Sequence, residues 1–124
     1  MSSEVVFLDR FEVADGKSDE LRRYAEELVD LVRGVPGAIS YGWYLDEDGR
    51  RGTSVFVFSD AVAFDRYLEV ASPRFRHGVD LTSSTDIELL GRASDRASEM
   101  AKAFNATLKT EVVGMRRQPD STQI

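Results

Sequence analysis

Apolar and polar positions alternate near the start of the chain. The stretch EVVFLDRFEV, residues 4–13, is rich in Val and Phe and follows the two-residue period of a strand. One face of this strand would carry Asp9 among the apolar side chains Val5, Phe7, Phe11 and Val13. The other face would carry Val6, Leu8, Arg10 and Glu12. The pattern therefore predicts a first strand that places a carboxylate among aromatic side chains.

Apolar positions next recur at helical spacing. An Asp-Gly pair predicts a turn, and Ser18 with two acidic residues after it is typical of a helix start. Gly34 and Pro36 are typical of a helix end, so a helix is predicted over about 18–33. Its apolar face would consist of Leu21, Ala25, Leu28 and Val32.

A hairpin is the clearest local pattern in the sequence. In AISYGWYLDEDGRRGTSVFVFSD, residues 38–60, two alternating segments flank an Asp48-Gly49 turn. Tyr41 and Trp43 share one face of the first segment. Gly42 between them indicates a bulge, or a close approach by a ligand or by another backbone.

Two helices are predicted after the hairpin. Asp60 can cap a helix that carries Phe64, Tyr67 and Leu68 on one side. The Ser72-Pro73 pair would close this helix and open a short one that holds His77.

The segment 84–106 admits two interpretations. DIELLG, residues 86–91, could be a short strand, but the helical period of the longer segment favours one amphipathic helix over about 86–104. Thr85, with Glu88 three residues later, fits a capping box for that helix. A last strand is then predicted over 107–115, followed by a polar tail over 116–124.

The order of these elements predicts an α+β fold. It fits a split βαβ, ferredoxin-like arrangement over residues 1–115, with a four-stranded antiparallel sheet and helices on one face. Both faces of the strands would carry large apolar side chains, whereas soluble monomers avoid exposed apolar patches. A symmetric homodimer that covers the second face of the sheet is therefore expected.

Composition narrows the class of function. The 124 residues fit one domain, and a net charge of −6 with only short basic pairs argues against a nucleic-acid partner. Apolar runs are too short for a membrane span, and the N-terminus lacks the pattern of a signal peptide, so a cytoplasmic protein with no membrane partner is expected. With no cysteine and one histidine, neither a metal site nor a cofactor is expected.

The element order, the aromatic hairpin and the stretch FSDAVAFDRYLEVASPRF, residues 58–75, resemble the dimeric α/β-barrel superfamily. Within that superfamily the chain is similar to antibiotic-biosynthesis monooxygenase-like domains over about residues 4–115. The resemblance implies a dimeric barrel and, for function, oxidation of aromatic polyketide quinols without a cofactor. The superfamily also includes polyketide cyclases, haem-degrading enzymes, lactone isomerases and proteins without known chemistry, so the resemblance specifies the fold more closely than the reaction.

Two residues are candidates for proton transfer. His77 is the only histidine, and an imidazole with a pKa near 7 is a natural general base. If Phe75 and Val79 of its short helix pack inward, however, His77 lies at the rim or in solvent. Asp9 must be paired, hydrogen-bonded or raised in pKa on its aromatic face, so it is either a functional carboxylate or the partner of an arginine.

Three aromatic residues are candidates for substrate binding. The resemblance to quinone-forming oxygenases makes Trp43, with Tyr41 beside it, a possible wall for a planar substrate, and Tyr67 could offer its hydroxyl to a ligand. Each could equally be a core residue, and Trp43 or Tyr41 an interface residue. Quinone-forming relatives often pair the tryptophan with a pocket asparagine, but the only asparagine here is Asn105, at the predicted end of the long helix.

Two functions therefore remain open. The first is a cofactor-independent, monooxygenase-like enzyme acting on an aromatic or polyketide-type small molecule. The second is a non-catalytic dimeric protein of the same fold that binds a small molecule or has a structural role. A cavity of ~300 Å³ or more with converging polar groups would favour the enzyme, and a filled core would favour the alternative.

Overall fold

The computed structural model describes residues 3–117, which form five strands and four α-helices. The elements are β1 (Val5–Val13), α1 (Ser18–Val32), β2 (Ala38–Leu45), β3 (Arg51–Phe58), α2 (Ala61–Ala71), a 3-10 turn (Ser72–Arg74), α3 (Phe75–Leu81), β4 (Thr82–Leu90), α4 (Asp95–Ala103) and β5 (Thr107–Lys109). The predicted polar tail, 116–124, lies outside the described residues except for its first two positions.

The strands form one sheet in the order β2-β3-β1-β4-β5. β1 lies at its centre, antiparallel to both β3 and β4, and β2 continues the antiparallel arrangement as the hairpin partner of β3. The helices lie on one face of the sheet. The predicted ferredoxin-like α+β fold is thus confirmed, with one strand more than the four expected.

The predicted helix over about 86–104 is wrong. Its first part belongs to strand β4, and only Asp95–Ala103 is helical. β4 pairs with β1 along its whole length, from Thr82 opposite Val13 to Leu90 opposite Val6. This long-range pairing overrides the helical period that joined Ile87 and Leu90 to the apolar residues of α4.

The capping box predicted for that helix is not formed. Thr85 donates from Oγ1 to the carbonyl oxygen of Arg10 at 3.1 Å, and Glu88 forms an ion pair with Lys109 at 2.7 Å. Helix α4 is instead capped by Ser94, whose side chain accepts from the backbone N–H of the third helical residue at 3.1 Å. The strand interpretation of residues 86–90 is therefore the correct one.

The last strand is shorter than predicted. Only Thr107–Lys109 pairs with β4, and it does so in parallel, beside the ladder from Glu88 to Leu90. The rest of the predicted strand, 110–115, lies outside any ladder, and Val112 is 97% exposed. Because α4 crosses between β4 and β5, the added strand extends the ferredoxin-like sheet at one edge.

The helix cap predicted at Asp60 is formed, whereas the close approach predicted at Gly42 differs from the expectation. The side chain of Asp60 accepts from the backbone N–H of Ala63 at 2.9 Å and caps α2. Gly42, however, contacts a side chain of its own strand: a β-carbon there would lie 2.9 Å from the ring of Tyr44. The close approach at Gly42 is thus made by a neighbouring tyrosine.

The core lies between the sheet and the helices. Its largest fully buried apolar side chains come from both layers: Phe58, Leu21, Leu28, Leu81, Leu89 and Val5. None of the helices within residues 3–117 is long and apolar enough to cross a membrane.

The second face of the sheet carries a continuous apolar patch. Val6 on β1 lies between Val57 and Leu90, and Leu8 lies beside Val55 in the next outward-facing row. These five residues, here called the outer patch, are half-buried. No helix of the described chain covers this face.

Substitution Gly91→Ala distinguishes the two interpretations of the region that follows residue 85. Inside a helix, alanine would be more stable than glycine by about 1 kcal/mol. Gly91 instead has φ +99°, and a β-carbon there would collide with the carbonyl oxygen of Glu4. We expect Gly91→Ala to lower the free energy of unfolding by roughly 2 kcal/mol or more, measured by urea denaturation.

Gly34→Ala is the matched control. Gly34 is outside the left-handed region, and a β-carbon there would meet only the Leu31 carbonyl oxygen at 3.6 Å. The free energy of unfolding of the Gly34→Ala variant should stay within about 0.5 kcal/mol of that of the parent protein. An increase in stability for Gly91→Ala would contradict the end of β4 described above.

Candidate functional site

A cavity of about 430 Å³ lies between the sheet and the helices. Strands β1–β4 and helices α1–α4 all contribute to its lining, which is mainly aromatic and aliphatic. Its polar side chains come from a few positions: Asp9, Tyr24, Trp43, Ser54, Tyr67, Thr82, Ser83 and Ser84. A concave, mostly apolar space with few polar groups is typical of a small-molecule site.

Among the residues that the structure describes, Asp9 is the one acidic residue that lines the cavity. Burial raises its pKa to about 6, and a hydrogen bond with Ser84 opposes this increase only in part. Its Oδ1 is buried and has no hydrogen-bond partner within the described residues. Within the described residues Asp9 has no ion pair with an arginine, and the neighbouring Arg10 pairs with Asp86 at 3.2 Å. A carboxyl with this pKa can accept a proton near neutral pH.

A β-bulge brings Ser84 to the same side of the sheet as Asp9. The register of β1 and β4 shifts between Arg10, which pairs with Asp86, and Phe11, which pairs with Ser84. Thr85 is the extra residue, and its hydroxyl bonds the Arg10 carbonyl oxygen. Without the bulge Ser84 would face away from the cavity, because side chains alternate along a strand.

Asp9 also belongs to a row of side chains that crosses the floor of the cavity. It is opposite Ser54 on β3, and Ser54 is opposite Trp43 on β2. Strands lie about 4.8 Å apart, so the Cα atoms of Asp9 and Trp43 are separated by roughly 10 Å. On the other side, Asp9 is opposite Ile87 of β4.

Trp43 lies within an aromatic cluster at one end of this row. Its ring centroid is 5.7 Å from that of Phe56, 5.9 Å from that of Phe11 and 6.1 Å from that of Tyr24. Its Nε1 is buried without a hydrogen-bond partner within residues 3–117. Trp43 therefore forms both a wall of the cavity and part of the aromatic core.

Tyr41 and Tyr67 are joined through their hydroxyls, which lie 3.0 Å apart. Tyr67, on α2, is buried and lines the cavity, whereas Tyr41 lies behind it with its ring stacked on Phe56 at 3.8 Å. Burial raises the pKa of both tyrosines, so both stay protonated at neutral pH. Of this pair, Tyr67 is the residue that can reach a ligand.

His77 lies outside the cavity lining. Its side chain is 51% exposed, and its Nε2 lies 3.1 Å from Oε2 of Glu20. One edge of its ring contacts Tyr24, with the ring centroids 5.3 Å apart. The helix that carries it turns Phe75 inward, which places the imidazole at the outer rim between α3 and α1.

Tyr24 closes the cavity where α1 meets α3, and it was not among the predicted site residues. Its hydroxyl donates to the carbonyl oxygen of Arg74 at 3.0 Å. Its ring packs so close to Gly78 that a β-carbon there would lie 2.7 Å from the hydroxyl. Tyr24 could have been found from helical spacing, because it lies between Leu21 and Leu28 on the buried face of α1.

Three remaining points of the sequence analysis concern Asn105, Ser84 and metal ligands. Asn105 follows α4 with φ 65°, is exposed and does not line the cavity. Ser84 was not selected, because neither strand β4 nor the bulge that brings Ser84 to the cavity was predicted. In the part of the chain from 3 to 117, no group of three or more His, Cys, Asp or Glu side chains is arranged to hold a metal ion.

Comparison with known proteins places these features in a family. The family profile described as antibiotic biosynthesis monooxygenase matches residues 5–81. No curated protein matches the sequence significantly. Among solved structures, MupZ from Pseudomonas fluorescens is 18% identical, with a TM-score of 0.83, over 94% of this chain and 91% of that one.

Two further structures are similar over most of their own length. SnoaB, a cofactor-independent oxygenase from Streptomyces nogalater, is 22% identical with a TM-score of 0.63, over 75% of this chain and 96% of that one. SO0527 from Shewanella oneidensis is 28% identical with a TM-score of 0.61, over 72% of this chain and 90% of that one. The profile covers more than half of the sequence, and the fold agrees with it: the chain belongs to the antibiotic biosynthesis monooxygenase family.

Proposed function

We propose that this protein is a cofactor-independent, monooxygenase-like enzyme that acts on an aromatic or polyketide-type small molecule. The observation that carries the proposal is the placement of Asp9, a carboxyl with a pKa of about 6, in an aromatic-lined cavity of about 430 Å³. Family membership supports the same reaction class. The space between the sheet and the helices is open, whereas a filled core would have favoured a non-catalytic protein.

The proposed reaction begins with proton transfer from an acidic hydroxyl or CH₂ group of the substrate to Asp9. The resulting electron-rich anion reduces dioxygen by one electron, and the two radicals combine to form a carbon–oxygen bond. Loss of water from the peroxide then leaves a carbonyl group, so that CH₂ and O₂ become C=O and H₂O. Asp9 returns its proton to the departing oxygen. Dioxygen is the oxidant, and the substrate supplies all four electrons.

The surroundings of Asp9 favour it over His77 as the base. Asp9 is in contact with the cavity, whereas His77 is half-exposed and paired with Glu20. A general base must lie within hydrogen-bond reach of the proton that it removes. His77 would reach the cavity only if α3 moved, so we assign it no part in proton transfer.

The aromatic residues have complementary roles in this proposal. Trp43 forms the wall against which a planar substrate lies, in the same row as Asp9. Tyr67 lines the opposite, helical side of the cavity, with Tyr41 behind it. A planar substrate would thus be held between the sheet and α2, with its acidic position toward β1.

We further propose that the working form is a homodimer closed over the outer patch. The patch joins five apolar side chains of β1, β3 and β4, and an ion pair lies on each side of it: Arg10 with Asp86, and Lys109 with Glu88. Two such faces are self-complementary in chemistry, as a two-fold interface requires. Burying the two patches against each other removes apolar surface from water, which stabilises the dimer by about 25 cal/mol per Å² of buried apolar area.

Leu8→Glu tests this interface. A charge in the centre of the outer patch should shift the protein to the monomer at micromolar concentration, as measured by light scattering. Val62→Glu is the matched control, because Val62 lies on the exposed side of α2 and is 75% exposed. A wild-type protein that is already monomeric under the same conditions would refute the dimer.

Asp9→Asn tests the base. Since asparagine cannot accept the proton, kcat/KM for oxygen uptake with anthrone or dihydroxynaphthalene substrates should fall by at least about 100-fold. For the wild type, kcat/KM should rise with pH through about 6 as Asp9 ionises, and then level off. Oxygen-electrode assays without added cofactor measure both effects.

Two control variants sharpen this experiment. Asp30→Asn removes a carboxylate that is 81% exposed on α1 and pairs with Arg33, outside the cavity lining, so activity should not change. His77→Gln should retain activity within about two-fold, and a loss as large as that of Asp9→Asn would return the role of base to the histidine. No turnover of any tested substrate by the wild type would favour a binding protein of the same fold.

The raised pKa of Asp9 also predicts how stability depends on pH. The folded-state pKa of about 6 exceeds the ordinary value of 3.8, so the folded protein binds more protons than the unfolded chain between these values. Stability should therefore decrease as pH rises from about 4 to above 6, by up to about 3 kcal/mol. The Asp9→Asn variant has no carboxyl to ionise at this position, so it should not show this loss of stability. Urea denaturation should show that the variant gains stability over the wild type across this pH range, whereas Asp30→Asn should not.

A further inference from the structure

The Tyr41–Tyr67 pair contains more donors than it can use internally. Two hydroxyls carry two hydrogens, but the 3.0 Å contact between them uses only one. Either oxygen could be the donor from distance alone. The direction of this bond decides which of the two hydroxyls is left with a free hydrogen.

If Tyr67 donated to Tyr41, the hydrogen of Tyr41 would need another acceptor. Tyr41 does not line the cavity, and within residues 3–117 its hydroxyl makes no other hydrogen bond to an acceptor. Its neighbour Trp43 carries only a donor, and the other ring against it belongs to Phe56. This direction would leave the hydrogen of the half-buried Tyr41 hydroxyl without a protein acceptor, and the desolvation that raises the pKa of Tyr41 makes such a hydrogen costly.

If Tyr41 donates to Tyr67, the hydrogens of both hydroxyls have an acceptor once a ligand is bound. The oxygen of Tyr67 then accepts from Tyr41, and the hydrogen of Tyr67, a residue that lines the cavity, is not used by this bond. A ligand oxygen in the cavity can accept it. Donation from Tyr41 also polarises the Tyr67 hydroxyl and strengthens the bond that it gives.

The cavity then presents one donor and one acceptor on different walls. Tyr67 extends from α2, and Asp9 lies on β1 in the floor, where its ionised carboxylate can only accept. Within the described residues the two side chains share no hydrogen bond: Asp9 has Ser84 as its partner, its Oδ1 has none, and Tyr67 is bonded to Tyr41. A ligand that satisfies both needs an oxygen acceptor and, elsewhere on the same ring system, an acidic hydrogen.

We infer that Tyr67 donates a hydrogen bond to a carbonyl or phenolate oxygen of an aromatic ligand, and that Tyr41 is a positioning residue that fixes the direction of this bond. The inference rests on the proposed function in taking the cavity as the ligand site. It adds the orientation: the oxygen of the ligand lies toward α2, and its acidic position lies toward Asp9.

Binding under nitrogen tests the inference without requiring turnover. Anthrone carries a ring carbonyl opposite an acidic CH₂ group, and 9,10-dihydroanthracene has the same ring skeleton without the carbonyl. Trp43 is the only tryptophan, and it lines the cavity, so quenching of its fluorescence reports the dissociation constant of each ligand. The variants are Tyr67→Phe, Tyr41→Phe and the double substitution, each checked by thermal unfolding for a native fold.

Tyr67→Phe should weaken anthrone binding by about ten-fold and leave dihydroanthracene binding unchanged. Tyr41→Phe should weaken anthrone binding by about three-fold, again without affecting dihydroanthracene. The double variant should bind anthrone no more weakly than Tyr67→Phe alone, because Tyr41 acts only through Tyr67. Tyr44→Phe, at a tyrosine 61% exposed on the other face of the sheet, is the matched control and should bind both ligands like the wild type.

Several results would overturn the inference. Equal losses for both ligands would mean that the tyrosines supply shape alone. A normal affinity of Tyr41→Phe for anthrone would leave Tyr67 without a positioning partner, and a wild type that binds neither ligand would exclude this ring class. Carbonyl-dependent binding without oxygen uptake in air would uphold the inference and count against the proposed oxygenase.

Discussion

The structure depends on the position of β1 between β3 and β4 and on the register of both pairings. That register places Phe7, Asp9 and Phe11 toward the helices, and Val6 and Leu8 toward the outer face. A slip of one residue would exchange the two sets, moving the carboxyl out of the cavity and aromatic rings onto the surface. One set of backbone hydrogen bonds therefore determines the core, the candidate base and the apolar face together.

Asp9 is the clearest conflict between stability and the proposed function in the molecule. A buried carboxyl with one unpartnered oxygen destabilises the folded state, and an apolar residue of similar size would remove that cost. The surrounding aromatic rings offset it: Phe7 stacks on Phe56 with centroids 5.7 Å apart, and Phe56 in turn stacks on Tyr41. The β4 bulge supplies Ser84 as a single polar partner, which lowers the penalty without returning the pKa to its ordinary value.

The sequence predicted those elements whose periodicity is local. Strand β1, helix α1, the hairpin and the Asp60 cap follow from alternation, helical spacing and turn residues within single segments. β4 could not be found in this way, because Ile87, Leu90 and the alanines after them also fit a helix, and only the ladder to β1 decides between the two. Asp9 was recognisable as an anomaly on its strand, but its neighbours were not: the row with Ser54 and Trp43 depends on the register of three strands, and Ser84 depends on a bulge.

The histidine shows why residue type is weaker information than position. His77 has the side chain best suited to proton transfer near neutral pH, yet α3 places it against Glu20 and the outer edge of Tyr24. Asp9 has an unsuitable pKa in water, and burial moves it to about 6. Since an aromatic cavity raises the pKa of any carboxyl enclosed in it, the same apolar walls that would hold a planar ligand also create the base. In the proposed function, binding and proton transfer thus have one physical origin, which is why a chain with a single histidine outside the cavity can still carry a candidate acid–base site.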